Sequence, residues 1–96
     1  MMENIPLGRI VASGDALTAI AECGKTTDEL LGRHEKGDWG DLDACEREKN
    51  EQSLKRGGRL QSIYSLSHHR RIWIITEADR SATAILFLKG KNPSGG

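Results

Sequence analysis

Four acidic residues lie close together near the middle of the sequence, and they are the first pattern that could carry chemistry. They are Asp38, Asp41, Asp43 and Glu46. Hard cations bind where several carboxylate oxygens converge from one loop. The spacing lacks the Asp-x-Asp-x-Asp-Gly order of a calcium loop. Asp43 and Glu46 are also placed as a helix N-cap and its capping-box partner. We therefore predict helix capping here and no metal site.

A second polar group follows a predicted strand and consists of Glu77, Asp79 and Arg80, with Thr76 and Ser81 beside it. An acid, a hydroxyl and a cation in one turn could form a minimal catalytic set. In the structural alternative, Asp79 bonds to its own turn backbone and Arg80 pairs with Glu77 or a helix acid. The sequence has no nucleophile elbow, P-loop, His-Glu-x-x-His motif or dinucleotide fingerprint. We predict no catalytic residue and no cofactor.

Basic residues gather around a predicted hairpin. They are His68, His69, Arg70 and Arg71, with Lys55, Arg56 and Arg59 ahead of the first strand. Clustered cations bind phosphates with release of counterions. Only Tyr64 and Trp73 on the adjacent strands could stack on bases, and the net charge is zero. Charged strand ends also prevent edge pairing. Nucleic-acid binding through this hairpin is therefore an alternative function.

The loop at residues 37–42, with the sequence Gly-Asp-Trp-Gly-Asp-Leu, carries a tryptophan between polar residues. Trp39 is either a lid folded over the core or an exposed anchor for a partner, since tryptophan is frequent among interface hot spots. In the second case Asp38 and Asp41 would accompany it. The acidic helix that follows, from Asp43 to Glu51, could instead serve as a charged docking face.

The elements that must position these residues begin with a short strand, Gly8–Val11. Three helices follow, with predicted N-caps at Ser13, Thr26 and Asp43, each succeeded by an acid in the first turn. Glycines at 24, 37 and 57 end them. His34 lies on the apolar face of the second helix, where a single histidine is usually structural.

Beyond Gly58 the pattern changes to alternation, which predicts strands at 59–66, 71–76 and 81–88. The middle one, Arg71–Thr76, is apolar on both faces and should be central in the sheet. The predicted order is β-α-α-α-β-β-β: an α+β fold with three N-terminal helices on one face of an antiparallel sheet. Residues 1–88 form one domain, and residues 89–96 form a disordered tail.

Composition limits the class of protein. Ninety-six residues with 36% apolar and 29% charged residues suit a single globular domain. Residues 1–54 carry twelve acids and six bases, whereas residues 55–96 carry two acids and eight bases; we expect the two halves to pair across the fold. Cys23 and Cys45 indicate buried or half-buried thiols in a reducing compartment. No stretch approaches the length of a membrane span, so we predict a cytoplasmic protein.

Several segments resemble a family of small, uncharacterised bacterial proteins, many encoded on plasmids and other mobile elements. The matching segments lie at 8–12, 37–42, 50–51, 59–60 and 74–83 and include Ile-Thr-Glu-Ala-Asp-Arg-Ser. Family members usually finish in a Leu-Pro-Glu-Glu-Tyr type tail, whereas here Leu88 is followed by Lys-Gly-Lys. The resemblance implies a bacterial cytoplasm and brings no established activity.

By elimination, the sequence favours a protein-binding domain without its own chemistry. The resemblance suggests an accessory or anti-defence role, meaning an inhibitor of a host restriction or CRISPR component. Its predicted contact residues are Asp38, Trp39, Asp41, Glu77, Asp79 and Arg80. The competing hypotheses are the nucleic-acid module and a small ribonuclease-type toxin using His34, His68 or Glu77.

Overall fold

The computed structural model describes residues 4–67 and 69–89. Its elements are β1 (Arg9–Ala12), α1 (Gly14–Glu22), α2 (Thr27–Glu35), α3 (Ala44–Arg56), β2 (Leu60–Ser67), β3 (Arg70–Thr76) and β4 (Ala82–Lys89). The predicted α+β class and the predicted order of elements are confirmed. His68 lies outside the described residues. So do residues 90–96, which make up most of the predicted tail.

The three helices begin at the predicted residues because a side chain caps each of them. Ser13, Thr26 and Asp43 accept the backbone N–H three residues further on, which satisfies one of the unpaired donors of the first turn. Thr26 and Glu29 form a complete capping box. Glu46 does not complete the box predicted with Asp43, because its carboxylate accepts from the side chain of Gln61 at 3.3 Å.

The sheet is mixed, which corrects the expected antiparallel one. Its strand order is β1-β4-β3-β2, and β1 runs parallel to β4 while the other pairs are antiparallel. The strand β1 thus pairs with the last strand of the described residues, and the three helices lie between β1 and β2 in the sequence. Alternation within a strand predicts which residues share a face, but not which edge a short first strand joins.

The two faces of the sheet differ in burial. The inner face carries fully buried residues, namely Leu60, Ser62, Tyr64, Ile72, Ile74, Thr76, Thr83 and Ile85. Ala16 and Ile20 of α1 and Leu30 of α2 pack on it in one apolar cluster. A second cluster joins Trp39 and Leu42 to Ile5 and Leu60. The core therefore lies between the inner face and the helices α1 and α2.

The free edge of β2 is closed by polar contacts. The side-chain amide of Asn50, on α3, donates to the carbonyl of Gln61 at 2.7 Å and accepts its N–H at 3.1 Å. Ile63 donates its N–H to Trp39 O, and its own carbonyl accepts from Asp41 N. Asn50 is the buried residue of α3, and the half-buried Leu54 packs beside it against the cluster around Trp39.

The exposure of the cysteines differs from the prediction at one position. Cys23 is half-buried, but Cys45 is exposed, because it lies on a different side of α3 from Asn50. In the described part of the chain, no helix is long and apolar enough to cross a membrane.

Candidate functional site

The side chain of Trp39 lies in the core, with only 6% of its surface exposed. Its indole ring meets the imidazole of His34 edge to face at 5.7 Å between centroids, and Nε1 donates to Glu51 at 3.5 Å. The loop thus folds over the core, which was the first of the two alternatives for Trp39. The prediction that Trp39 is an exposed anchor is corrected, because a buried ring offers no surface to a partner.

The two aspartates of this loop fasten it to its neighbours. Asp38 pairs with Arg33 at 2.7 Å, and this hydrogen bond lowers the pKa of the Asp38 carboxyl. The carbonyl of Asp38 accepts the hydroxyl of Tyr64 at 2.6 Å. Burial raises the pKa of Tyr64 to about 12, which keeps this donor protonated. Asp41 accepts from the hydroxyl of Ser65 on β2. Both carboxylates are exposed yet already have intramolecular partners.

The turn between β3 and β4 is held by its own backbone. Asp79 accepts the N–H of Ser81 at 3.0 Å, as predicted. Hydrogen bonding with the side chain of Ser81, and then with its backbone, lowers the pKa of Asp79. Arg80 has a positive φ of 63°. Its guanidinium does not form the predicted pair with an acid but donates to the carbonyls of Gly58, Glu77 and Ala78 at 2.6 to 3.1 Å. A fourth carbonyl, of Ser53 in α3, lies at 3.4 Å.

The predicted contact residues therefore form two separate groups. Asp41 lies beside Ser65, whereas the turn at Glu77–Arg80 lies beside Gly58, at the other end of β2. The seven residue steps from Gly58 to Ser65 place the two groups roughly 20–25 Å apart at the usual rise of an extended strand.

The basic residues are divided in the same way. Arg59 precedes β2, and Arg70 begins β3 at the opposite end of the hairpin, beside His69. Arg70 pairs with Glu22 of α1 at 2.7 Å, one case of the expected pairing between the acidic and basic halves. Arg71 is the next residue of β3, so its side chain lies on the opposite face of the sheet from that of Arg70. Among the described residues, Arg59 therefore lies at one end of the hairpin, and His69, Arg70 and Arg71 lie at the other; nucleic-acid binding stays an alternative.

A chain of hydrogen bonds runs through the core from His34. Its Nδ1 contacts the hydroxyl of Ser62 at 2.5 Å and its Nε2 that of Thr76 at 2.8 Å. Thr76 then contacts Thr83 at 2.7 Å, and Thr83 donates to the carbonyl of Leu7 at 2.7 Å. The four side chains are fully buried. This series of hydrogen bonds crosses β2, β3 and β4 and ends at Leu7, in the segment before β1.

The final acceptor in this series of hydrogen bonds, the carbonyl of Leu7, determines which group donates in each of the other bonds. A carbonyl cannot donate, so Thr83 donates to Leu7 and must accept from Thr76. Thr76 has given its only proton and must accept from Nε2–H of His34. In a neutral imidazole Nδ1 is then the unprotonated nitrogen and accepts from Ser62. Burial, with a smaller contribution from the charge of Arg80, lowers the pKa of His34 to about 4, which agrees with a neutral imidazole.

The contact between His34 and Ser62 resembles a nucleophile with its base, but neither side chain has exposed surface, so a substrate cannot reach this pair. For the toxin hypothesis, His34 and Glu77 do not converge, since His34 lies in the core and Glu77 on the surface. Within residues 4–67 and 69–89, no group of three or more His, Cys, Asp or Glu side chains is arranged to hold a metal ion.

The outer face of the sheet presents apolar side chains that the sequence did not single out. Pairing aligns Ile63, Trp73 and Leu86 in one row across β2, β3 and β4. The next row holds Ile75 and Ala84, with Val11 of β1 at its end. These side chains are half-buried or exposed, Leu86 by 36% and Val11 by 52%. We call these six residues the outer apolar face.

Trp73 is held in place on this face. Its Nε1 donates to the side chain of Gln61 at 2.8 Å, whose amide in turn donates to Glu46 of α3. The one signal in the sequence was the apolar character of both sides of β3. That pattern correctly predicts an interior strand. The side of β3 on the outer face is, however, half-exposed rather than covered by another element.

Comparison of the chain with protein-family models, with curated proteins and with solved structures finds no match. The resemblance to plasmid-encoded bacterial proteins therefore stays a prediction from the sequence.

Proposed function

We propose that this chain is a protein-binding domain without chemistry of its own, and that its contact surface is the outer apolar face. The observation that supports this proposal is the half-exposed Trp73, hydrogen-bonded to Gln61 and flanked by Ile63 and Leu86. A contiguous apolar patch on a soluble domain marks interaction sites. Tryptophan is the residue type most enriched among binding hot spots.

The predicted loop and turn residues support this surface indirectly. Asp38, Asp41 and Arg80 use their side chains within the molecule, and these contacts fix the edge of β2 and the end of α3. Rigid support lowers the entropy lost on binding. In this proposal they position the sheet, and the partner contacts the outer apolar face.

The resemblance suggests a narrower form of the proposal, an inhibitor carried by a mobile element that binds a host restriction or CRISPR component in the bacterial cytoplasm. This form rests on the resemblance alone. It predicts a stoichiometric complex with one defence enzyme and loss of that enzyme's activity in the complex.

The test compares two substitutions of the same kind at exposed leucines. Leu86→Lys places a charge on the outer apolar face, whereas Leu17→Lys places it on α1, where the leucine is 47% exposed. Tagged wild-type protein and both variants are used to capture partners from host extract with and without nuclease. We expect one stoichiometric partner that survives nuclease, is kept by Leu17→Lys and is lost with Leu86→Lys.

Two results would contradict the proposal. A partner that Leu86→Lys retains at wild-type yield would place the contact elsewhere on the molecule. Partners that disappear on nuclease treatment would favour the nucleic-acid alternative. Circular dichroism of both variants controls for folding. Replacement of Trp39 is unsuitable here, because its ring lies in the core and its loss would change folding.

A further inference from the structure

The side chain of Gln61 joins the half-exposed indole of Trp73 to helix α3. Trp73 pairs with Ile63 on β2, and Gln61 stands two residues before Ile63 on the same face, at a diagonal distance that long side chains can span. Its Oε1 accepts from Trp73 Nε1 at 2.8 Å. Its Nε2 donates at 3.3 Å to Oε2 of Glu46, in the first turn of α3. The indole is therefore connected to a carboxylate through one amide.

The two ends of this connection cannot be exchanged. An indole N–H only donates, and an ionised carboxylate only accepts. The amide of Gln61 has one accepting and one donating group, so a carboxylate at Nε2 directs Oε1 toward Trp73. A donor in place of Glu46 would attract Oε1 instead. The NH2 group would then face the indole N–H, where two donors would meet.

One side of α3 holds both the backbone and the side chain of Gln61. Glu46 and Asn50 are four residues apart, so they are neighbours on the helix surface. Asn50 exchanges two hydrogen bonds with the backbone of Gln61, at 2.7 and 3.1 Å. The second carboxylate oxygen of Glu46, Oε1, lies 3.5 Å from Lys49 Nζ. The contact with Asn50 keeps Gln61 beside α3, and the orientation of its amide then depends on Glu46.

We propose that Glu46 is a positioning residue for the outer apolar face and acts on Trp73 through the amide of Gln61. This proposal rests on the proposed function, because it takes Trp73 as part of the contact surface. The indole N–H is already bonded within the chain, so Trp73 needs no acceptor from the partner and offers its ring as an apolar contact. Holding the ring in one orientation reduces the entropy lost on binding.

The first experiment follows the indole N–H signals of the free, isotope-labelled protein by NMR spectroscopy. The chain has two tryptophans, and a Trp73→Phe variant assigns their signals. In Glu46→Lys the Trp73 signal should shift, and its proton should exchange with water about 3- to 10-fold faster because one hydrogen bond is lost. Glu48→Lys makes the same charge change at an exposed position of α3 and should leave the signal in place. Glu46→Gln retains an acceptor and should do the same.

A variant of Gln61 tests whether Glu46 acts through it. Gln61→Leu should alter the exchange of the Trp73 indole proton as Glu46→Lys does, and adding Glu46→Lys to Gln61→Leu should alter it no further. Additive effects would overturn the proposal. So would a Trp73 signal that Glu46→Lys leaves in place, or one that Glu48→Lys moves equally. Circular dichroism of each variant controls for folding.

Partner capture separates this proposal from the proposed function. The NMR measurements use the free protein, so they do not depend on finding a partner. In host extract, Glu46→Lys should capture less of the partner than the wild type, whereas Glu48→Lys should capture as much. A partner that Leu86→Lys loses and Glu46→Lys keeps at full yield would overturn the positioning role and leave the proposed function in place. Equal loss with Glu48→Lys would also overturn it, because the charge of α3 would then be sufficient.

Discussion

A buried histidine needs a partner for each ring nitrogen, and His34 finds them on two neighbouring strands. Ser62 is on β2 and Thr76 on β3, so the ring connects α2 to two positions of the inner face. Unpaired, these groups would each cost about 1–3 kcal/mol in the core. In the neutral imidazole Nδ1 accepts from Ser62, and a second proton on Nδ1 would require Ser62 to accept instead.

The first prediction concerns pH. The pKa of His34 is lowered from 6.5 to about 4 in the folded chain, so its neutral form contributes stability that is fully present above pH 6.5. That contribution should be lost as the pH falls from 6.5 toward 4, at up to about 1.4 kcal/mol per pH unit. Urea unfolding at pH 7 and pH 5 measures it.

A variant separates this histidine from the carboxylates that titrate at lower pH. His34→Gln should lower the stability at pH 7 and lose less on going to pH 5 than the wild type. Equal losses in the two proteins would remove His34 as the origin of the acid sensitivity.

A second prediction at this scale concerns Arg80. Its planar guanidinium donates to carbonyls of its own turn, of Gly58 and of Ser53 in α3. One nitrogen, Nη1, contacts Gly58 and the turn carbonyls, and the other, Nη2, contacts Ser53, so a lysine with its single nitrogen cannot keep all of these contacts. Arg80→Lys should therefore reduce the free energy of unfolding by about 1–3 kcal/mol. Arg70→Lys, at an exposed single ion pair with Glu22, should cost less than about 1 kcal/mol. Similar losses would show that the carbonyl contacts of Arg80 contribute little.

At the scale of elements, the closure of the β2 edge depends on the approach of the loop at residues 38–41. Gly40 has a φ of +70° and forms a bridge with Ile63. A Cβ at this position would overlap the carbonyl oxygen of Ile63 and the ring of Tyr64. The loop can lie against the strand only because residue 40 has no side chain.

The third prediction uses two glycines with the same backbone conformation. Gly24, at the end of α1, has a φ of +71° but has nothing within 4 Å of an added Cβ. Gly24→Ala should cost about 1–2 kcal/mol from the left-handed conformation alone. Gly40→Ala should cost several kcal/mol more, or prevent folding. Thermal melts compare them, and equal costs would mean that the loop moves away from β2 freely.

The sequence predicted local elements well and their long-range arrangement poorly. Caps at Ser13, Thr26 and Asp43 depend on residues three positions apart, which a sequence displays directly. The parallel pairing of β1 with β4 and the contact between Asn50 and Gln61 join distant residues, and no local pattern encodes them. A buried polar residue such as Asn50 looks, in sequence, like any residue of a solvated helix face.

The candidate site was less predictable for the same reason. Trp39, Asp38 and Arg80 were noticed because of their residue types, but their partners are backbone groups and neighbours elsewhere in the chain. The outer apolar face requires the register of three strands, which aligns Ile63, Trp73 and Leu86. Only the two-sided apolar pattern of β3 hinted at it.

For the whole molecule, the two apolar clusters should unfold together. Leu60 belongs to one and Tyr64 to the other, yet both lie on β2, and His34 contacts Trp39 across the boundary. We predict a single cooperative transition. In a Trp73→Phe variant, fluorescence reports Trp39 alone, and its urea midpoint should coincide with that of far-UV circular dichroism. An earlier fluorescence midpoint would show that the second cluster opens separately.

The closed edge of β2 has a consequence for how far association can proceed. Asn50 and the loop at residues 39–41 occupy the backbone groups there, so a strand from another molecule would have to displace them. Growth of a sheet into a fibre by repeated edge-to-edge pairing needs a free edge on both sides of every molecule, and the polar contacts on β2 withhold one of the two.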